Sequence, residues 1–145
     1  MDRFETFTVN IAKISRNIKK IKSKEMEQFN LKTPHVSCLY YLYKKGYSLT
    51  AKELCEICDE DKAAISRSIE YLEKNAYLTC ESKLEKRYRS PILLTEKGKH
   101  VGEYIVKKID GILNVASKGI SEEDRKVFYK SLLIISENLQ KMSEN

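Results

Sequence analysis

The stretch LTAKELCEICDEDKAAISRSIEYLEKNAYLTCESKLEKRYRSPILLTEKG, from Leu49 to Gly98, decides the fold. It reads as two short helices joined by a tight turn, followed by a basic hairpin. Thr50 is placed to cap the first helix and Glu53 to bond back to it, the reciprocal pair of a capping box. Leu49 and Leu54 flank that start as a hydrophobic staple. The second helix opens at Asp61, a side chain that accepts from free helix N–H groups. Ile65, Ile69 and Leu72 recur at helical spacing and give this helix one buried face. Its other face carries Lys62, Ala63, Ser66, Arg67 and Glu70, with small residues for close approach and one long cation. A helix that enters a DNA major groove needs that mixture.

Working outward, Tyr77 to Ser82 reads as a strand, Lys83 to Ser90 as a polar turn and Pro91 to Leu94 as a returning strand. Asn75 stands where the preceding helix must stop, and Asn tolerates the left-handed conformation. On the N-terminal side, Thr33 is expected to cap a helix with Pro34 in its first turn, and Gly46 to end it. Val36, Leu39, Tyr40 and Tyr43 form its apolar face. His35, near its start, reads as a surface or capping histidine rather than a ligand. Thr95 is placed to cap a long helix running to about Lys118, with Val101, Ile105, Ile109, Ile112 and Ala116 on one face and Gly119 closing it. The last helix opens at Ser121, with acidic residues favourable at its N-terminus.

The two chain ends carry matching stripes. Phe4, Phe7, Ile11, Ile14, Ile18 and Ile21 alternate spacings of three and four, and so do Phe128, Leu132, Ile135, Leu139 and Met142. Such helices must be covered. Packing on their own domain would do this, and so would a dimer interface built from Phe4, Phe7, Ile11, Ile14, Phe128, Leu132, Ile135 and Leu139. Arg16, Lys19, Lys20, Lys22 and Lys24 cluster in the second half of the first helix and read as a solvated face.

The run LCEICDEDKAAISRSIEYLEKNAYL, then a basic turn, then ILLTEKG resembles the MarR family of winged-helix transcription regulators. The pieces that carry the resemblance best are ISR followed by YLEKNAYL, and the closing LTEKG. The chain departs from the family in three places. Asp59 and Glu60 stand where members usually have Gly and an apolar residue, and Ala63 and Ala64 where they often have Ser or Thr. The family's acidic wing residue aligns with Lys86 by counting back from Leu94-Thr95, or with Glu85 in a wing one residue longer. The second alignment is preferred because it restores an acid able to pair with Arg67.

The fold class expected is therefore mainly α with a small β-hairpin wing, a winged helix-turn-helix flanked by N- and C-terminal dimerisation helices. The chain would be one domain, 1–145, with a DNA-binding lobe over 31–99 and dimerisation helices over 1–30 and 100–145. What the resemblance implies is a homodimer on double-stranded DNA, contacting a pseudo-palindromic operator. Lys62, Ala63, Ala64, Ser66, Arg67 and Glu70 would lie in the major groove, with Lys83, Lys86, Arg87 and Arg89 of the wing on the backbone or in the minor groove. It also implies repression relieved by a small phenolic or other aromatic effector bound between the lobe and the dimer helices.

Composition bounds these readings. A length of 145 residues suits one domain with a core. The net charge of +6 favours an anionic partner, though only weakly. No run of about twenty apolar residues is present, so no membrane span is expected. The N-terminus mixes Asp2, Arg3 and Glu5 with apolar residues and lacks an apolar secretory core, so the protein is expected in the cytoplasm with its four cysteines reduced. Cys55 and Cys58 form a C-x-x-C inside a helix, without the His pair or second C-x-x-C that would complete a zinc site. Buried structural thiols are the main expectation, a redox role for Cys55 and Cys58 the alternative, and no metal or other cofactor is expected. G-x-S-x-G, P-loop and G-x-G-x-x-G motifs are missing, so an enzyme is not expected. Two alternatives to the regulator reading stand: a winged-helix module for a protein partner, and a thiol-based redox protein.

Overall fold

A computed structural model describes residues 2–58, 60–80 and 90–145. The chain forms two compact units, Met1–Ile109 and Asp110–Asn145. In chain order the elements are α1 (Asn10–Met26), α2 (Thr33–Lys44), β1 (Ser48–Thr50), α3 (Ala51–Cys58), α4 (Lys62–Lys74), β2 (Leu78–Cys80), β3 (Pro91–Leu94), α5 (Glu96–Ala116) and α6 (Glu122–Ser143). A wide π turn over Glu5–Val9 leads into α1, so the N-terminal helix is less regular than its apolar spacing predicts.

The first unit has its core where α2, α3, α4 and the sheet meet. Leu39, Leu42, Leu54 and Leu72 are fully buried there, with Ile65, Leu78, Ile92 and Ile105 around them. The Thr50–Glu53 box and the Gly46 reversal form as read. Thr50 N–H and hydroxyl donate to Glu53 Oε1, and Glu53 N–H donates to Thr50 Oγ1 at 3.1 Å. Gly46 reverses the chain after α2 at φ +86°, and Tyr47 N–H closes on Leu42 O at 2.8 Å, satisfying a carbonyl the helix leaves open.

Two local readings are corrected. Lys32, not Thr33, is the cap residue of α2, and Thr33 and Pro34 are its first two residues. The Lys32 N–H is satisfied by His35 Nδ1 at 3.0 Å, a side chain that reaches back further than a threonine hydroxyl can. After α4 the left-handed residue is Ala76 at φ +63°, not Asn75. Asn75 instead uses its side-chain amide to donate to Tyr71 O at 2.8 Å. Ala76 N–H to Glu73 O and Tyr77 N–H to Leu72 O then complete the reversal.

The wing sheet has three strands in the order β1-β3-β2, all antiparallel, rather than a hairpin alone. Leu49 pairs with Ile92, and Ile92 with Cys80. β3 is central, and Pro91 is its first residue, opposite Thr50.

The second unit is the end of α5 and α6. Gly119 at φ +93° makes the turn, and Ser121 Oγ accepts from Asp124 N–H at 3.1 Å to start α6. α5 stops at Ala116, two residues short of the expected end. No residue of α6 is buried, and Phe128 and Leu139 are 52% and 50% exposed. The stripe at the other chain end is equally uncovered, with Phe4 at 69% and Ile14 at 52%.

Candidate nucleic-acid interface

The site begins with how α4 is mounted. α3 ends at Cys58, and Glu60 N–H returns to Cys55 O at 3.3 Å. Asp61 then caps α4, its carboxylate accepting from Ala64 N–H at 2.7 Å. Ile65, Ser68, Ile69 and Leu72 turn inward. Ser68 is a position the sequence did not single out; it is 3% exposed, and its small side chain allows close packing there.

The far end of α4 is fastened by aromatic and polar contacts. Tyr71 stacks on His35 with ring centroids 4.1 Å apart and planes 5° apart, and its hydroxyl donates to Asn30 O at 2.6 Å. Burial and the nearby Lys32 charge hold His35 below the usual histidine range, which favours the neutral ring that accepts at Nδ1. Lys97 Nζ donates to Asn75 O at 2.8 Å and lies 4.2 Å from the centre of the Tyr77 ring.

Thr95 joins α4 to the wing. Its hydroxyl donates to Ala76 O at 2.6 Å and accepts from Gly98 N–H at 3.1 Å, so one side chain caps α5 and holds the turn after α4. Thr95 N–H also donates to Tyr77 O. This ties the LTEKG segment to the end of α4.

On the outward face of α4, Lys62, Ala63, Ser66, Arg67 and Glu70 are exposed and Ala64 is half-buried. The helix therefore offers one continuous polar face on a rigid mount, open at its capped N-terminus. Lys83, Lys86, Arg87 and Arg89, and the acid Glu85, lie outside the described residues, as does Asp59.

Cys55 and Cys58 sit half-buried on α3, and all four cysteines are free. Cys38, on α2, is fully buried. Interaction with Cys58 and burial push the Cys38 thiol above its usual range, and interaction with Cys38 pulls Cys58 below it. Among the described residues no group of three or more His, Cys, Asp or Glu is placed to hold a metal ion. None of the described helices is long and apolar enough to cross a membrane.

Two further concavities lie in this unit. One, of about 630 Å³, is lined by Arg16, Lys19 and Lys20 of α1 with Ser15, Ser23 and Thr33. The other, of about 220 Å³, is lined by Lys22, Val36, Ser37, Tyr40, Tyr41 and Ile109.

No family model and no curated protein matches the chain. Solved structures do. The Staphylococcus aureus MepR–DNA complex is 19% identical, with a TM-score of 0.81 over 95% of this chain and 99% of that one. A MarR family regulator from Neisseria meningitidis is 20% identical, with a TM-score of 0.78 over 100% and 99%. A Listeria monocytogenes chain assigned to the MarR family and solved with 26mer DNA is 23% identical, with a TM-score of 0.82 over 92% and 88%. At these identities the likeness is one of fold: the chain has the winged-helix architecture seen in MarR family structures.

Proposed function

We propose that this protein is a cytoplasmic DNA-binding transcription regulator, a homodimer that binds a pseudo-palindromic operator and acts as a repressor. The observation that carries the reading is the outward face of α4. It is exposed from Lys62 to Glu70, free of large apolar groups, capped at its start by Asp61 and tied near its end to Asn30 through Tyr71. Chains of the same fold have been solved with DNA. Arg67 is the principal base-edge contact, and Lys62 and Ser66 hold phosphates. Ala63 and Ala64 reach thymine methyls, with Glu70 at the edge of the contact. Lys83, Lys86, Arg87 and Arg89 extend the contact along the backbone or into the minor groove.

The dimer assignment rests on the exposed apolar groups of the two stripes, Phe4, Phe7, Ile11 and Ile14 with Phe128 and Leu139, continued by half-buried Leu132 and Ile135. Leaving so much apolar surface in water is costly, and a second copy carries the same surface to cover it. The 220 Å³ cavity is assigned to an effector. Two tyrosine rings and the Lys22 ammonium there fit an aromatic acid, stacked on the rings with its carboxylate on the lysine.

Selection of bound sequences from a pool of random duplexes tests the function. A regulator of this kind recovers two inverted half-sites about one helical turn, roughly 34 Å, apart. Recovery of an unenriched pool would replace the proposal with a winged-helix module for a protein partner.

A further inference from the structure

We propose that Tyr71 is a positioning residue that sets the half-site spacing this protein accepts, by latching α4 to the segment that joins α1 to α2. The inference deepens the reading of a dimer that binds DNA through α4, and rests on it. The joining segment is built where α1 ends. Glu27–Phe29 form one 3₁₀ turn, and Asn30 then takes the left-handed conformation at φ 54°. Asn30 N–H donates to Glu27 O at 2.9 Å and Leu31 N–H to Met26 O at 3.3 Å, with Met26 and Leu31 buried. The carbonyl of Asn30 is left to accept the Tyr71 hydroxyl, at 2.6 Å and across 41 residues of sequence.

Tyr71 is gripped twice. Its tip is fixed in distance by that hydrogen bond, and its ring is fixed in tilt by the parallel stack on His35, 4.1 Å between centroids. His35 in turn accepts Lys32 N–H at 3.0 Å, so both grips belong to the start of α2 and the segment before it. The same segment is fastened to α5, where Gln28 Nε2 donates to Tyr104 Oη at 2.9 Å and the Phe29 ring meets Tyr104 edge-on at 5.3 Å. A shift of α1 is therefore passed to α4 through Tyr71. Arg67 lies one helical turn before Tyr71, about 6 Å along the axis. α1 carries Ile11 and Ile14 of the stripe assigned to the dimer. The seat of α1 on its partner thus fixes the distance between the two copies of Arg67. One base-pair step moves a half-site by about 3.4 Å and turns it about the duplex axis. A rigid latch refuses that step, and a loosened one follows it. The Tyr71–Asn30 bond lies at the surface, so water can satisfy Asn30 O when the hydroxyl is removed and the fold survives.

The test compares full-length parent and Tyr71→Phe on duplexes that carry the selected half-sites at the selected spacing, and at spacings one base pair shorter and longer. The parent is expected to lose at least about tenfold in affinity on either altered spacing, and Tyr71→Phe less than about threefold, with its preference for half-site sequence kept. His35→Gln, which retains an acceptor for Lys32 N–H but removes the stacked ring, relaxes the spacing as well. Thr50→Ala controls for lost stability: it breaks the α3 capping box, away from the latch, and keeps the parent's spacing profile. Amide exchange in the free proteins reports the latch without DNA, with Lys32 and the last turn of α4 exchanging faster in Tyr71→Phe. A Tyr71→Phe protein with the parent's spacing profile overturns the proposal, and so does a Thr50→Ala protein that relaxes it equally. Parent protein that selects no paired half-sites defeats the dimeric-regulator reading instead; exchange then still judges the latch, and unchanged exchange in Tyr71→Phe removes it.

Discussion

Gly98→Ala tests how the start of α5 is packed against the turn after α4. Gly98 is the third residue of α5 and is buried. A β-carbon added there collides with the carbonyl oxygen of Tyr77, and lies 3.0 Å from Leu94 Cδ2 and 3.1 Å from the Tyr77 carbonyl carbon. That carbonyl is already fixed, because it accepts the Thr95 N–H at 3.1 Å. Alanine favours the helix by up to about 1 kcal/mol. Overpacking costs about 1–3 kcal/mol, and the upper end applies because the obstacle is backbone and not a side-chain tip. The net loss is about 2 kcal/mol, or a fall of about 6–8 °C in Tm for a chain of this size. Gly111→Ala is the control. It lies on the same helix with nothing within 4 Å of the added carbon, and should raise stability by about 0.5–1 kcal/mol. Thermal and urea unfolding followed by circular dichroism, at one fixed protein concentration, measures both. A Gly98→Ala protein as stable as the parent would refute the close approach and the reasoning built on it.

Further outcomes follow from other parts of the structure. Ile14→Glu should dissociate the dimer without unfolding the chain, because Ile14 is 52% exposed within one subunit; light scattering at micromolar concentration should then give about 16.9 kDa for the variant and twice that for the parent. Asp61→Ala removes the carboxylate that accepts from Ala64 N–H and should cost about 1 kcal/mol in urea unfolding. The pH dependence has a definite sign. The folded pKa of His35 lies below its ordinary 6.5, so the unfolded chain takes up the proton first; its contribution is complete above that pH and is lost as the pH falls toward the folded value. Denaturation midpoints measured from pH 7.5 to 5 should show that loss, and His35→Gln, which can still accept the Lys32 N–H, should flatten it.

Much of the fold was legible because its signals are local. The Thr50/Glu53 box, the Asp61, Thr95 and Ser121 caps, and the Gly46 and Gly119 reversals each involve residues within one turn. The α4 face was legible for the same reason, since helical spacing alone divides Ile65, Ile69 and Leu72 from Ser66, Arg67 and Glu70. Strand β1 was missed because its three residues include Thr50, which the capping box had already claimed. The capping role of His35 was legible, but its burial and the left-handed turn at Ala76 were not, because tertiary contacts set both. The histidine is held by Tyr71 stacking, and an alanine takes a left-handed turn that Thr95 secures from another element. The apolar stripes were plain in the sequence, but what covers them is a matter of assembly.

The central claim, that the outward face of α4 reads DNA sequence, is tested most directly by equilibrium binding. Parent and Arg67→Ala proteins should be compared on the selected duplex and on a randomised one, at several salt concentrations. The account predicts a loss of about 1–3 kcal/mol per half-site on the selected duplex and a smaller loss on the randomised one. Arg67→Ala without effect on either duplex would contradict it.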